Sequence, residues 1–314
     1  MANLQIVGLG LATVDVLIRL HDMPTWERGA RLSGLRFDGG GPVATALVAA
    51  ARLGARVGYV GTAGDDEIGA LKLRYLTRDG VDTGRVIVRP GPEEQVILVY
   101  VQEGTGERVF SALHGGQHRP LQPQELDRAY ITSAPFLHLD GSHLEAALCA
   151  ARWAHEAGQT VVLDAAKGGW AVSAAMRALV AETDILICGS GFAPALTGER
   201  DLWAAGEAAL ALGPRVVVQT EGEAGSYTVT GSERFHTPAY PVPVTDTTGA
   251  GDVFHGAYLV GLLRGWDLQR TAAFASAVAA IKCTQLGGRA GIPTLDAALA
   301  FLREHGVDLE KGKP

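Results

Sequence analysis

Asp246-Thr247-Thr248-Gly249-Ala250-Gly251-Asp252-Val253-Phe254-His255-Gly256-Ala257 is the most informative stretch of the chain. It follows an extended, proline-containing segment, Tyr240-Pro241-Val242-Pro243-Val244, and opens an amphipathic helix pattern that runs to about Leu263. Gly249 and Gly251 free the turn of side chains, so their N–H groups and those of the helix's first turn converge on one point. The positive end of the helix dipole makes that point an anion site, suited to phosphate. A carboxylate beside bound phosphate is electrostatically unfavourable. Asp252 therefore reads as a base that takes a proton from an attacking hydroxyl while the amides of Gly249, Ala250 and Gly251 hold the migrating phosphoryl group. The competing reading is that Asp252 only caps the helix.

Outward from this turn, short apolar runs alternate with helix-period segments. Residues 4–8, 57–61, 136–140, 160–164, 184–188 and 215–220 read as core strands, and residues 43–53, 144–156 and 202–212 as helices. This alternation predicts an α/β fold with a doubly wound, mostly parallel central sheet flanked by helices. Two stretches interrupt it: residues 15–20 with 31–37, and 95–101 with 107–113 across the turn Gln102-Glu103-Gly104-Thr105-Gly106. They predict a small β lid contributed by about residues 12–38 and 94–114, over the C-terminal ends of the main strands, where such sheets bind ligands. Two ordinary surface hairpins are the alternative. No repeat or low-complexity linker interrupts the chain, so residues 1–314 are expected to form one domain.

A second glycine cluster, Asp38-Gly39-Gly40-Gly41-Pro42, precedes the first long helix and would let a ligand lie directly on the backbone. Asp15, after the first strand, is placed to accept hydrogen bonds from sugar hydroxyls. Each has a plainer reading, as a flexible turn and as an exposed loop acid. Other phosphate and hydrolase motifs fail. Gly8-Leu9-Gly10 is followed by Thr13 where a dinucleotide fingerprint needs glycine, and there is no G-x-x-x-x-G-K-[ST], G-x-S-x-G or H-E-x-x-H.

Composition narrows the class further. With 41 Gly in 314 residues, glycine is nearly twice the usual ~7%, without collagen's period. A net charge of −7 argues against nucleic-acid binding, which rests on clustered Lys and Arg. The 3 cysteines form no C-x-x-C pair, which fits a reduced cytoplasm. There is no apolar run of ~20 residues and no basic leader, so neither a membrane span nor a secretory signal is expected. The 9 histidines show no metal-binding spacing; His114, His138 and His143 read as ordinary polar residues, with His114 and His143 able to face a substrate. Arg greatly outnumbers Lys and Asn3 is the sole asparagine, as a thermophilic or a GC-rich source would produce.

With both glycine clusters in view, the chain resembles the ribokinase (PfkB) family of carbohydrate kinases. Residues 246–263 resemble its C-terminal signature, and residues 39–54 with Val60-Gly61-Thr62-Ala63-Gly64-Asp65-Asp66-Glu67-Ile68-Gly69 its N-terminal one. The resemblance implies ATP- and Mg2+-dependent phosphorylation of a sugar hydroxyl, with Asp252 as base, Gly249-Ala250-Gly251 as anion hole, and Asp15, Gly40 and Gly41 touching the sugar. Thr220-Glu221-Gly222-Glu223-Ala224-Gly225 resembles the family's T-x-G-x-x-G nucleotide turn, and Ser276 falls where the adenine pocket is lined. A lid of this kind implies a homodimer, since an exposed sheet edge seeks a partner.

The departures from the family pattern are specific. Ala44 replaces an asparagine, and Gly189 and Phe192 stand where many members carry N-x-x-E to organise magnesium. Metal organisation then falls to waters, nucleotide phosphates or another carboxylate, for which Asp164 is the candidate; Lys167 could reach phosphate or be merely solvated. Some members bind K+, for which Asp246 and the Thr248 carbonyl would be ligands, although Gly291 replaces a side-chain oxygen there. Residues 282–293 are similar to ketohexokinases and sulfofructose kinases, but Gly29, Ala112 and Ser142 stand where the latter hold a sulfonate. The expected acceptor is thus a small neutral sugar, with a ketose the first candidate, taken at a primary hydroxyl. A nucleoside kinase, with Phe110 or Trp26 as an aromatic shelf, and a non-catalytic sugar sensor are the alternatives.

Overall fold

The computed structural model describes residues 3–105, 107–113, 119–165 and 171–311. Its strands are β1 (Ile6–Leu9), β2 (Thr13–Leu20), β3 (Leu32–Gly40), β4 (Val57–Val60), β5 (Thr62–Gly64), β6 (Ile87–Arg89), β7 (Val96–Gln102), β8 (Arg108–Ala112), β9 (Phe136–Leu139), β10 (Thr160–Ala165), β11 (Ile185–Gly189), β12 (Val216–Thr220), β13 (Ser226–Thr230) and β14 (Arg234–Thr237). An eight-stranded sheet has the order β14-β13-β12-β11-β10-β9-β1-β4. The six core strands expected from apolar runs are its parallel members, β4, β1 and β9 to β12. Their runs are continuous because both faces are covered. Ile6, Val162, Ile187 and Val218 pack towards the helices Pro42–Arg52, Ala250–Leu263 and Leu268–Lys282. Val7, Leu163, Leu186 and Val217 pack towards Leu144–Glu156 and Leu202–Leu210. Periodicity did not reveal β13 and β14, an antiparallel extension at the sheet edge.

The helix Ala250–Leu263 differs from its expected amphipathic pattern, because every residue from Val253 to Gly261 is buried. It is sandwiched between two neighbours. Gly256 lies against the Ala46 carbonyl and Gly261 against Thr271, where a side chain would collide. This close packing fixes the position of the helix start.

The two interrupting strand pairs do form, and they join into one separate sheet of order β3-β2-β7-β8 through parallel pairing of β2 with β7. Its register sorts the side chains. One face carries Asp15, Asp38, Arg108 and Phe110, around the buried Leu17, Val99 and Val101. The other presents Val16, Ile18, Leu35, Phe37, Leu98, Tyr100 and Val109. Among the described residues, no helix is long and apolar enough to cross a membrane.

Candidate active site

Gly249 is the N-cap of the helix Ala250–Leu263, at φ 72°, the left-handed conformation that glycine tolerates best. Asp252 lies in that helix's first turn, half-buried. Burial lifts its carboxyl to a pKa of about 6; Arg289 and Lys282 oppose the lift, while Asp140 and Asp15 add to it. Those influences show which groups surround the acid, and all four come from other parts of the chain.

Asp15, on β2, accepts a hydrogen bond from the Thr13 hydroxyl at 2.6 Å. Burial raises its pKa, opposed by that bond and by Arg289. Gly40 is held against Asp15 and Thr13, so a side chain there would displace the carboxylate. Arg289 is fully buried and donates to the Gly40 carbonyl at 2.7 Å and to the Thr45 hydroxyl at 3.2 Å, with its charge near Asp38, Asp15 and Asp252. Asp140, at the end of β9, accepts N–H bonds from Leu11 at 2.7 Å and Ser142 at 2.9 Å, which ties the loop after β1 to the site. Arg289, Asp38 and Asp140 carried no role in the sequence reading. Asp38 directly precedes the glycine cluster, and Asp140 ends a core strand, so position alone could have flagged both.

On the other side of the helix start, a cavity of about 800 Å3 is lined by Thr220, Gly222, Gly225, Ala250, Gly251, Phe254 and Ser276, among others. The expected nucleotide residues Thr220, Gly222, Gly225 and Ser276 thus border one space with Ala250 and Gly251 of the expected anion hole, of a size suited to a nucleotide. The turn after β12 is fixed by its own backbone, Glu221 N–H bonding the Gly225 carbonyl at 2.8 Å. Gly225, at φ 84°, also lies hard against the Thr237 carbonyl.

Asp164, at the end of β10, is buried with Oδ2 unpartnered among the described residues. Burial raises its pKa strongly, and the neighbouring Asp252 and Asp140 charges add to this. Its other oxygen lies 3.4 Å from His255 Nε2. With His138, these side chains place three candidate ligand atoms within 4.8 Å of one another. The cluster comes from two strands and a helix, so no local spacing announced it. Both imidazoles are kept neutral by burial, His138 at a pKa of about 4 and His255 well below its ordinary value.

The remaining expectations fall elsewhere. His143 caps the helix Leu144–Glu156, is fully buried and accepts the Leu121 N–H at 3.2 Å through Nδ1, so it offers no exposed surface to a substrate. His114 and Lys167 lie outside the described residues. Trp26 is fully exposed between β2 and β3, while Phe110 is exposed on the Asp15 face of the small sheet. The K+ expectation falls on a residue the chain already engages with its own cations. Arg108 pairs with the Asp246 carboxylate and the Thr248 hydroxyl and donates to the Thr247 hydroxyl at 2.7 Å, while Lys282 donates to the Asp246 carbonyl at 2.9 Å.

A helix start built for an anion, an acid in its first turn and a nucleotide-sized cavity at its side define a small-molecule phosphotransferase. Comparison with known proteins gives the family. The chain belongs to the pfkB family of carbohydrate kinases, whose model matches residues 4–295, and it is a phosphotransferase with an alcohol acceptor. It is 30% identical to a 5-dehydro-2-deoxygluconokinase of Shouchella clausii, over 96% of this chain and 97% of that protein. It is 29% identical to an ATP-dependent ribose-1-phosphate kinase of Halopiger xanaduensis, over 96% and 98%. The structure of a ribokinase from Thermotoga maritima matches with a TM-score of 0.82 at 25% identity, over 96% of this chain and 99% of that one.

Proposed function

We propose that the chain transfers the γ-phosphoryl group of ATP to a primary hydroxyl of a small neutral sugar, with a ketose the first candidate. Asp252 takes the hydroxyl proton, and the amides of Gly249, Ala250 and Gly251 hold the phosphoryl group as charge develops. The observation that carries this is the location of Asp252: its helix start borders the nucleotide cavity on one side and the Asp15 group on the other. Thr220, Gly222, Gly225 and Ser276 would line the nucleotide, and Asp15, Gly40 and Gly41 the sugar.

Magnesium suits the site, because Asp164 offers a buried carboxylate oxygen without a partner among the described residues, and hard cations prefer oxygen donors. When bound with the nucleotide, the ion supplies neutralisation of phosphate charge. The charges around Asp15 support a neutral acceptor. Asp38 adds to the negative charge at Asp15, and Asp140 and Asp15 both act on Asp252, while the buried Arg289 is already shared by Asp38, Asp15 and Asp252. The named relatives act on a dehydrodeoxygluconate and on ribose 1-phosphate, both anions. A screen of sugar-dependent ADP release should therefore set neutral ketoses against both of those acceptors and against nucleosides, which the Phe110 shelf would suit.

Asp252→Asn is expected to lower kcat by roughly 10²-fold or more while leaving ATP affinity intact. Turnover close to that of the native enzyme would remove the base assignment and, with it, this reading.

The small sheet serves as a lid whose Asp15 face closes on the sugar and keeps water from the phosphoryl group. Its opposite face exposes Leu35 at 59%, Phe37 at 43% and Val109 at 55%, a contiguous apolar surface that we assign to a homodimer interface. Sedimentation velocity at micromolar concentration should show a dimer, and Phe37→Asp should shift it towards monomer; a monomeric native protein would refute the assignment. The free cysteines suit a reducing cytoplasm.

A further inference from the structure

Asp246 stands at the head of the anion-hole turn and is bonded by cations at both its side chain and its backbone. Its carboxylate accepts N–H bonds from Thr248 and Gly287, each at 2.8 Å, together with the Arg108 guanidinium. Its carbonyl accepts the Lys282 ammonium at 2.9 Å. Lys282 ends the helix Leu268–Lys282 and is fully buried, at 0% exposure. Burying an ammonium is costly unless its charge is used or paired. Among the described residues, its hydrogen-bond acceptor is a main-chain carbonyl, in a turn whose next residues hold the phosphoryl group under the proposed function. Lys282 also acts electrostatically on Asp252, six residues after Asp246.

We propose that Lys282 is a positioning residue for phosphoryl transfer: its ammonium is a built-in monovalent cation that fixes the turn from Asp246 to Gly251 and sets positive charge behind the anion hole. A dissolved ion is then unnecessary. Arg108 makes the companion contact from the small sheet, so the turn is held from the core side by Lys282 and from the lid side by Arg108. This inference rests on the kinase reading, and its test separates the two.

Lys282→Ala removes the charge and leaves room for a small ion, whereas Lys282→Met removes the charge and refills the space. Turnover is measured in tetramethylammonium chloride, then with ammonium, methylammonium or potassium chloride added, and thermal melting confirms that each variant is folded. Native turnover should be indifferent to all of these salts. Lys282→Ala should lose about 10-fold or more in kcat, with KM for the sugar little changed, and recover several-fold in ammonium; Lys282→Met should lose as much and not recover. Native kcat in both variants would overturn the proposal, as would a folded Lys282→Ala that no small cation restores, or a native enzyme activated by potassium. If the native protein shows no sugar-dependent ADP release, the kinase reading fails by itself. The Lys282 assignment is then read from ATP affinity by calorimetry, where the same ammonium-dependent recovery supports it and its absence refutes it. Should Lys282→Ala not fold, Lys282→Met carries the test through loss of kcat against unchanged sugar KM.

Discussion

The helices Pro42–Arg52 and Ala250–Leu263 both begin at glycine clusters, yet a methyl group added to each cluster would meet different things. At Gly39 it would strike the Arg289 guanidinium, at Gly40 the Asp15 carboxylate, and at Gly41, where φ is +90°, the Leu11 carbonyl. At Gly251 it would meet none of the described residues within 4 Å, and the backbone there is ordinary helix. In the first cluster the protein itself presses on the space that glycine leaves, so glycine is a packing requirement that brings charged side chains onto the main chain. At Gly251 neither packing against the described residues nor conformation asks for glycine, and the position opens on the large cavity beside the helix start. That contrast marks the second helix start as the place where a ligand touches the backbone, and the first as the scaffold for Asp15 and Arg289.

Substituting alanine in both clusters tests this directly. Gly41→Ala combines left-handed strain with a backbone collision and should cost about 3 kcal/mol or more in urea unfolding. Gly251→Ala should behave in the opposite way. Alanine is the better helix former, so stability should hold or rise by up to about 1 kcal/mol, while kcat falls about 10- to 100-fold because the methyl group crowds the transferred phosphoryl group. Full turnover in Gly251→Ala would erase the distinction and make both clusters matters of packing alone.

Much of this was legible in the sequence, for physical reasons. The six parallel strands showed because burial on both faces writes an unbroken apolar run, and the paired strands of the small sheet showed because they broke the alternation. The glycine turn at the start of the helix Ala250–Leu263, with Asp252 in its first turn, showed because glycine spacing and helix start lie within a few consecutive residues. What stayed hidden depends on tertiary approach. Arg289 meets Gly40 across a sequence separation of 249 residues, and Arg108 meets Asp246 across 138. The His138, Asp164 and His255 cluster likewise exists only once β9, β10 and a helix are packed. Periodicity also misjudged the helix Ala250–Leu263, whose polar-looking positions are buried because Gly256 and Gly261 let neighbouring elements close over them.

The two helix starts are also joined electrically, and the pH dependence of catalysis can measure the link. Asp252 on the second is lifted to about 6 by burial and, in part, by the Asp15 charge that the first cluster supports. The active form of a base is the deprotonated one, so kcat/KM should rise with pH through about 6 and lie about tenfold below its plateau at pH 5. A folded-state pKa raised above 3.8 also means that ionising Asp252 opposes folding. Its contribution is most favourable below 3.8 and is lost as pH rises through about 6. Asp252→Asn should therefore melt above the native protein at pH 8, with the gap closing towards pH 4. Asp15→Asn removes one of the repelling charges, so its rate limb should move to lower pH by a fraction of a unit, whatever the loss in absolute rate from weaker sugar binding. A limb that stays in place in Asp15→Asn would show that burial alone sets the base, and that the two glycine clusters share a cleft without sharing a field.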